Sequence, residues 1–582
     1  MVYRAPVSEI LFTLEHVTRL EAGIAEGIYP DLADGFAETI LTEAARYGED
    51  VIAPLNMTGD QQGARLQDSE VTTALGWKAA YSQWVEGGWN GLTGPASHGG
   101  QDLPHLLHAA CIDVWTAANM AFSLCPVLNA GAAEAVATHA PEALKAIYLA
   151  KMVSGEWTGT MNLTEPQAGS DLSQVRSKAE PAGDGSYRIK GQKIYISYGE
   201  HDLADNIIHL VLARLPGAPE GTRGISLFLV PKFLVNADGS PGKRNDLRCA
   251  GIEHKMGIKA SPTCTMAFGD HEGAMGWLVG QANRGLNCMF TMMNNARLAT
   301  ALQGVGQAER ATQMAVAFAA ERRQGKSADS NGASSPIAGH PDVQRMLMQM
   351  RALTMAARAI CYLTAEATDR SHRAGDAAAK AAAAERSALL TPLAKAFASD
   401  IGVEVASLGI QVHGGMGFIE ETGAAQLLRD ARIVPIYEGT NGIQAMDLVQ
   451  RKIGLSGGAT LAREIADMRG IVALVRASNA REFGRMGQRL GEAVEAFERA
   501  TLFLHGAVPL DQLAGATPYL RLFAMARGGT CLAQMALAGH RSGAGKYVDI
   551  ARFFAENIAV GAAGLELSIT EGAGFAALAQ SA

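Results

Sequence analysis

At 582 residues, with 48% hydrophobic and 19% charged positions, the chain is too long for one ordinary core and too apolar for global disorder. A formal net charge of −8 supplies no basic field for gripping a nucleic-acid backbone. Seven cysteines (111, 125, 249, 264, 288, 361 and 531) stand singly with no CxxC pair, so reduced thiols are expected rather than a disulfide framework or a metal cluster.

The first residues, MVYRAPVSEILFTLEHVTRLEAG, break their apolar run at Glu9, Glu15 and Arg19. That suits neither a signal peptide nor a membrane span, and a cytoplasmic protein without a span is the expectation. Ile10, Leu11, Leu14, Val17 and Leu20 recur at near-helical spacing, and a second amphipathic stretch runs from Asp31 to Val51. The turn-rich GLTGPASHGGQDLP interrupts this region at 91–104. From about 157 to 275 the text changes to short Ile/Val/Leu/Tyr runs bounded by Gly, Pro, Asn or Asp, among them YRIKGQKIYIS, NIIHLVLARL and GISLFLVPKF. So many short strands in one region favour a small barrel or sandwich. Helix signals return at about 283: long helices are expected over 285–320 and 340–372, followed by an Ala-rich helix through AAAKAAAAERSALLTPLAKAFASDIGVEVASLG. Between the first two, residues 325–339 read as a polar Gly/Ser loop, and a last helical unit follows GLSGGA. The expected fold is mainly α with a central β domain. The expected partition is an N-terminal extension (1–34), a helical domain (35–156), a β-barrel (157–280), a helical bundle (281–455) and an extra C-terminal helical domain (456–582).

A Rossmann GxGxxG, a P-loop, HExxH and a Cys/His metal cluster are all missing, so no metal is expected. Three segments carry unusual chemistry: MNLTEPQAGSDLS (161–173), GQKIYISYGEHD (191–202) and QVHGGMGFIEETGAAQLLRDARIVPIYEGTNGIQ (411–444). Thr164, Gly169 and Ser170 place hydroxyl and backbone donors in one turn, which suits a phosphate or an electron-rich ring edge. Tyr195, alternating with Ile194 and Ile196, would lay a flat aromatic beside Ser197. Gly414 and Gly415 permit close approach of the backbone to a ligand. Taken singly, each has an ordinary reading as a loop, a strand aromatic or a turn. A lone carboxylate such as Glu438 before a turn is usually inert.

Together, TEPQAGSD, KIYIS, KMGIKASPTCTMAFGD (255–270), MMNNARLATALQGVG and RDARIVPIYEGTNGIQ, in this order, resemble the acyl-CoA dehydrogenases over about residues 35–455. The YRAP start, ERRQGKS, HPDVQRML (340–347) and the C-terminal extension resemble the longer bacterial branch that includes 3-methylmercaptopropionyl-CoA dehydrogenases.

The resemblance implies a helical domain, a small β-barrel and a four-helix bundle, with FAD as cofactor. It implies trans-α,β-desaturation of an acyl-CoA, the α-proton passing to a carboxylate and the β-hydrogen to flavin N5 as hydride. The family places its base either in the IYEGT segment or on the helix just before the position of Arg297. The second position is Ala296 here, which assigns the base to Glu438. Met161, Leu163 and Thr164 would lie along the pyrimidine side of the ring, with Gly169 and Ser170 near the phosphates. Tyr195, Ile196 and Ser197 would cover the other face. Arg322, Gln411, Gly414 and Gly415 match residues that reach the FAD of a neighbouring subunit, which implies a dimer or tetramer, and Thr440 matches a further FAD contact. Arg297, Asn294, Tyr437 and Gly439 fall on the substrate side. Three departures stand out: Gly442 in place of a Gln or Glu side chain, Asn294 in place of Asp, and an Arg322 segment one residue short and lacking its Phe.

The substrate is left open between 3-methylmercaptopropionyl-CoA and a fatty acyl-CoA, and an electron-transferring flavoprotein is the expected acceptor. Two alternatives stay open: an acyl-CoA oxidase, and a non-catalytic flavoprotein of the same fold. The C-terminal region has no dense basic cluster, which disfavours nucleic-acid binding.

Overall fold

The computed structural model describes residues 2–327 and 334–575; the middle of the expected polar loop (328–333) lies outside the described residues. The chain divides into two compact units, one of Met1–Ala45, His105–Ala117 and Thr300–Ala582, the other of Arg46–Pro104 and Ala118–Ala299. The elements used below are helix α1 (Val7–His16), helix α2 (His105–His139), strands β1 (Trp157–Asn162), β2 (Lys178–Pro181), β3 (Tyr187–Ser197), β4 (Asn206–Arg214), β5 (Ile225–Pro231), β6 (Leu247–Ile252), β7 (Thr263–Phe268) and β8 (Ala274–Val279), and helices α3 (Gly285–Glu321), α4 (Pro341–Arg373), α5 (Ala377–His413), α6 (Ala424–Ala431), α7 (Asn441–Asp447), α8 (Ala459–Ser478), α9 (Met486–Gly506) and α10 (Ala516–Ser542).

In the second unit the eight strands run in the order β6-β7-β3-β8-β5-β4-β1, and β2 pairs with both β3 and β4. That double pairing closes β3, β8, β5, β4 and β2 into a small barrel, with β1 and the β6-β7 pair as branches from it. Strand β4, NIIHLVLAR, is apolar on both faces because both are covered. Ile208, Leu210 and Leu212 pack outward against Leu149, Met152 and Met289. Val211 and Ala213 point the other way, to Ile189, Phe228, Val230 and Met266. A one-residue slip would exchange the two sets, so the register is strongly specified. Two histidines sit in this core as neutral hydrogen-bonding residues. Thr158 meets His201 at 2.9 Å and Thr160 meets His209 at 2.7 Å, and burial drives both imidazoles down to about 3.

Helix α2 is, among the described residues, the one segment long and apolar enough to cross a membrane, and its apolar window is entirely buried in the fold. It breaks at Asn119 (φ −159°, ψ 96°), whose side-chain oxygen accepts from the Phe122 N–H and whose amide donates to Ile52 O. The kink is a side-chain cap inserted into the helix.

The first unit is helical. Helices α4 and α5 form its long antiparallel pair, and α3 meets α5 at Gly304, where any Cβ would fall 2.1 Å from Ala398 O. Only glycine permits that approach, which seats neighbouring Gln303 against the bundle. The N-terminal extension belongs to this unit: Phe12 of α1 stacks on Tyr547 at 3.9 Å, and Tyr3 donates to Val114 O. The C-terminal extension (α8 to α10 and the shorter helices beyond them) packs on the same helices, with Arg521 of α10 paired to Glu404 of α5 at 3.0 Å. All seven cysteines are buried free thiols.

Candidate active site

The structure gathers the sequence-predicted residues into three groups. The first lies in the barrel unit, where Met161 is the penultimate residue of β1 and the strand runs on into the turn 163–170. Thr164 O accepts from the Ile194 N–H at 2.9 Å and Leu163 O from Lys193 Nζ at 3.0 Å, tying this turn to β3. Gly169 and Ser170 are exposed, and a Cβ at Gly169 would meet nothing within 4 Å. The turn is held from beneath by a residue not singled out from the sequence, Glu165. Its carboxylate, 4% exposed, accepts from Lys193 Nζ (2.8 Å), Ser177 N–H (3.0 Å) and Oγ (2.6 Å), Arg176 N–H (2.7 Å) and Gln167 Nε2 (2.6 Å). Burial alone would push this carboxyl up, but the Lys193 ammonium and these donors outweigh it and hold it at about 2.

Glu165→Gln keeps the shape but removes the charge opposite the fully buried Lys193. The expected loss is about 2 kcal/mol, the scale of a hydrogen bond to a charged group, read by denaturant unfolding. Because the folded carboxyl titrates below its ordinary 4.5, its contribution to stability is complete above pH 4.5 and drains away as the pH falls through about 2. Acid unfolding of the variant is expected to lack that component.

Tyr195 does not simply alternate with its neighbours. The pairing of β7 with β3 slips between Cys264↔Ile196 and Met266↔Lys193, so two residues, Ile194 and Tyr195, oppose Thr265. Tyr195 is the bulged residue, left-handed at φ 60° and 61% exposed. A bulky residue in that region is strained, and a bulge re-aims a side chain out of the sheet. Ile196, 2% exposed, turns its side chain into the barrel core, so only its main chain remains available beside Ser197. A half-open turn of backbone and hydroxyl donors and a strained, exposed aromatic fit the edge and face of a flat, phosphate-bearing cofactor. On α3 of the same unit Arg297 lies 3.5 Å from the exposed Asn294, and Ala296 is buried.

The second group is at the end of the helical bundle. Phe318 and His413 stack at 4.4 Å, bringing the end of α3 that leads to Arg322 beside the end of α5 that carries Gln411. Gly414 closes α5 at φ 59°, ψ −140°, a conformation glycine alone adopts readily. Arg322, Gln411, Gly414 and Gly415 are all exposed, and the adjoining Met416, Phe418 and Ile419 are exposed at 50%, 83% and 46%.

The third group is the loop from α6 to α7. Glu438 is left-handed at φ 56° and is followed by Gly439 at φ 84°. Such backbone costs about 1–3 kcal/mol and persists only where the surroundings enforce it. Thr440 caps α7 by accepting from the Ile443 N–H at 3.3 Å. Tyr437, half-buried, donates to Gln303. Burial first, then the charges of Glu438 and Asp430, push the Tyr437 phenol well above its ordinary range, so it remains a donor. Gln444 Nε2 lies 3.4 Å from the carbonyls of Glu438 and Gly439. Gln303, Gln444 and Asn441 were not visible as site residues, because nothing local in their sequence marks side chains that act on another element.

Comparison with known proteins places this arrangement. The models of the acyl-CoA dehydrogenase N-terminal, middle and C-terminal domains match residues 37–156, 160–271 and 283–453, and an acetyl-CoA dehydrogenase C-terminal-like model matches 464–578. The 3-methylmercaptopropionyl-CoA dehydrogenase of Ruegeria pomeroyi is 47% identical over 526 residues, 90% of this chain and 89% of that protein. A butyryl-CoA dehydrogenase of Syntrophomonas wolfei is 39% identical over 72% of this chain and 70% of its own. The solved acyl-CoA dehydrogenase of Bacillus anthracis, complexed with FAD, has the same fold, with a TM-score of 0.75 at 21% identity, covering 94% of this chain and 89% of that one. The chain belongs to the acyl-CoA dehydrogenase family of FAD-dependent oxidoreductases.

Proposed function

We propose that the protein desaturates an acyl-CoA thioester between Cα and Cβ, with Glu438 as the base. The observation that carries this is Glu438 itself: a carboxylate held in a strained left-handed conformation on a braced loop, where the alternative position, Ala296, has no proton acceptor. The Glu438 carboxylate takes the α-proton, and the Cα–Cβ double bond forms as the β-hydrogen leaves with its electron pair. FAD, when bound, accepts that hydride. The α-C–H is far less acidic than a carboxyl of ordinary pKa ~4.3, so the thioester oxygen must be stabilised as negative charge builds on it. The Glu438 backbone N–H is assigned to that oxygen. Tyr437 and Gly439, with Arg297 and Asn294, are assigned to substrate contacts. Met161, Leu163, Thr164, Gly169, Ser170, Tyr195, Ile196 (through its main chain), Ser197 and Thr440 are assigned to FAD.

The favoured substrate is 3-methylmercaptopropionyl-CoA, supported by 47% identity to a dehydrogenase of that name. A homo-oligomer is supported by the exposure, in one chain, of Arg322, Gln411, Gly414 and Gly415 beside apolar Met416 and Phe418. Buried free thiols support a reducing, cytoplasmic setting, and an electron-transferring flavoprotein is the proposed acceptor. The test is anaerobic mixing of the FAD-loaded protein with a panel of acyl-CoAs, followed by turnover in air. Fastest flavin bleaching by 3-methylmercaptopropionyl-CoA with little hydrogen peroxide is expected. Stoichiometric peroxide would make the protein an oxidase, and bleaching by no acyl-CoA would leave a non-catalytic flavoprotein.

A further inference from the structure

Resting on the assignment of Glu438 as base, we infer that Asn441 is a positioning residue for the reaction, acting through the loop that holds Glu438. The Asn441 side chain anchors this loop on α5 through both ends of its amide. Its Oδ1 accepts from Lys395 Nζ at 2.9 Å and from Ser399 Oγ at 3.1 Å. Its Nδ2 donates to the Asp400 carboxylate at 2.7 Å and to Ala396 O at 3.1 Å. The Asn441 backbone N–H closes the loop onto Pro435 O at 3.0 Å. One amide therefore sits with its oxygen toward a fully buried cation and its nitrogen toward an anion, and no other side chain of this size offers both ends.

The function of this anchor lies in the strain beside it. Glu438 at φ 56° and Gly439 at φ 84° lie between two fixed points, the Tyr437 phenol on Gln303 and Asn441 on α5. Releasing one of them lets a left-handed glutamate relax toward an ordinary conformation, which moves its carboxylate relative to the substrate's α-carbon. Proton transfer is steeply sensitive to such displacement, whereas ground-state binding of the acyl-CoA depends on many other contacts.

The test uses the FAD-loaded protein and three variants: Asn441→Asp, the exchange Asn441→Asp with Asp400→Asn, and Glu438→Gln. Asn441→Asp brings a carboxylate against Asp400 and withdraws the donor from Ala396 O. Its kcat is expected to fall ~10- to 100-fold with KM within ~3-fold of wild type. The exchange restores a donor at position 400 facing an acceptor at position 441, and is expected to recover most of the loss. A second readout isolates the proton step: exchange into deuterated water of the α-hydrogen of a 3-thia-acyl-CoA, which has an acidic α-C–H and no β-hydrogen to give up. That exchange should slow in Asn441→Asp in parallel with kcat. Wild-type kcat and exchange in Asn441→Asp, with Glu438→Gln inactive, would overturn this inference alone. So would a loss of melting temperature with kcat per bound flavin unchanged. An active Glu438→Gln would overturn the assignment of the base, and this inference with it.

Discussion

Glu438→Gln is expected to lower turnover by about a thousandfold, within the 10²–10⁴ range attributable to a positioned general base, while the protein still binds FAD. Glutamine has the size and reach of glutamate but cannot accept the α-proton. Neither of the two nearest alternatives by sequence can replace it. Tyr437, next in sequence, is kept protonated by burial and by the charges of Glu438 and Asp430. Ala296, at the other position the family uses, is a buried methyl. Because the change leaves the bracing by Gln303, Gln444 and Asn441 intact, KM should move little and the loss should fall on kcat. Steady-state kinetics with an electron-transferring acceptor, normalised to bound flavin, read both.

Arg358→Met is expected to destabilise the helical unit by about 3–5 kcal/mol, the cost of removing one partner from a buried ion pair. Arg358 is fully buried on α4. Its Nε donates to Asp113 at 2.7 Å, Nη1 to Glu9 at 2.7 Å and Nη2 to Glu309 at 3.0 Å. Tyr362 donates to the same Asp113 at 2.9 Å. One guanidinium thus holds three carboxylates from α1, α2 and α3, and burial, opposed by Arg358, already pushes Glu9 above its ordinary range. Without the arginine, Asp113, 1% exposed, would be a buried anion stripped of its cation. Replacing Arg358 and Asp113 together by Met and Leu should cost less than Arg358→Met alone, since the most deeply buried of the three carboxylates goes with the arginine while Glu9 and Glu309 are closer to solvent. Denaturant unfolding of the three proteins measures this.

The helices and the barrel were legible because their signals are local. The expected helices at 285–320 and 340–372 appear as Gly285–Glu321 and Pro341–Arg373, and the strand-rich stretch after 157 is the barrel. What was not legible depends on partners distant in the chain. Glu165 lay inside the quoted TEPQAGSD, yet its role comes from Ser177 and Lys193, which are 12 and 28 residues away. The bulge at Tyr195 depends on Thr265 of the facing strand. The N-terminal extension read as a unit of its own because its anchors, Arg358 and Tyr547, are distant in the sequence. Glu438 looked ordinary as a lone carboxylate before a turn. Resemblance singled it out, and the left-handed backbone is the physical mark that periodicity cannot convey.

The most direct measurement of the central claim is anaerobic mixing of 3-methylmercaptopropionyl-CoA with FAD-loaded wild type and Glu438→Gln, monitoring the visible flavin band. Bleaching of the wild type, with an unbleached variant that retains its FAD, is the predicted result. Bleaching of both at similar rates would contradict Glu438 as the base.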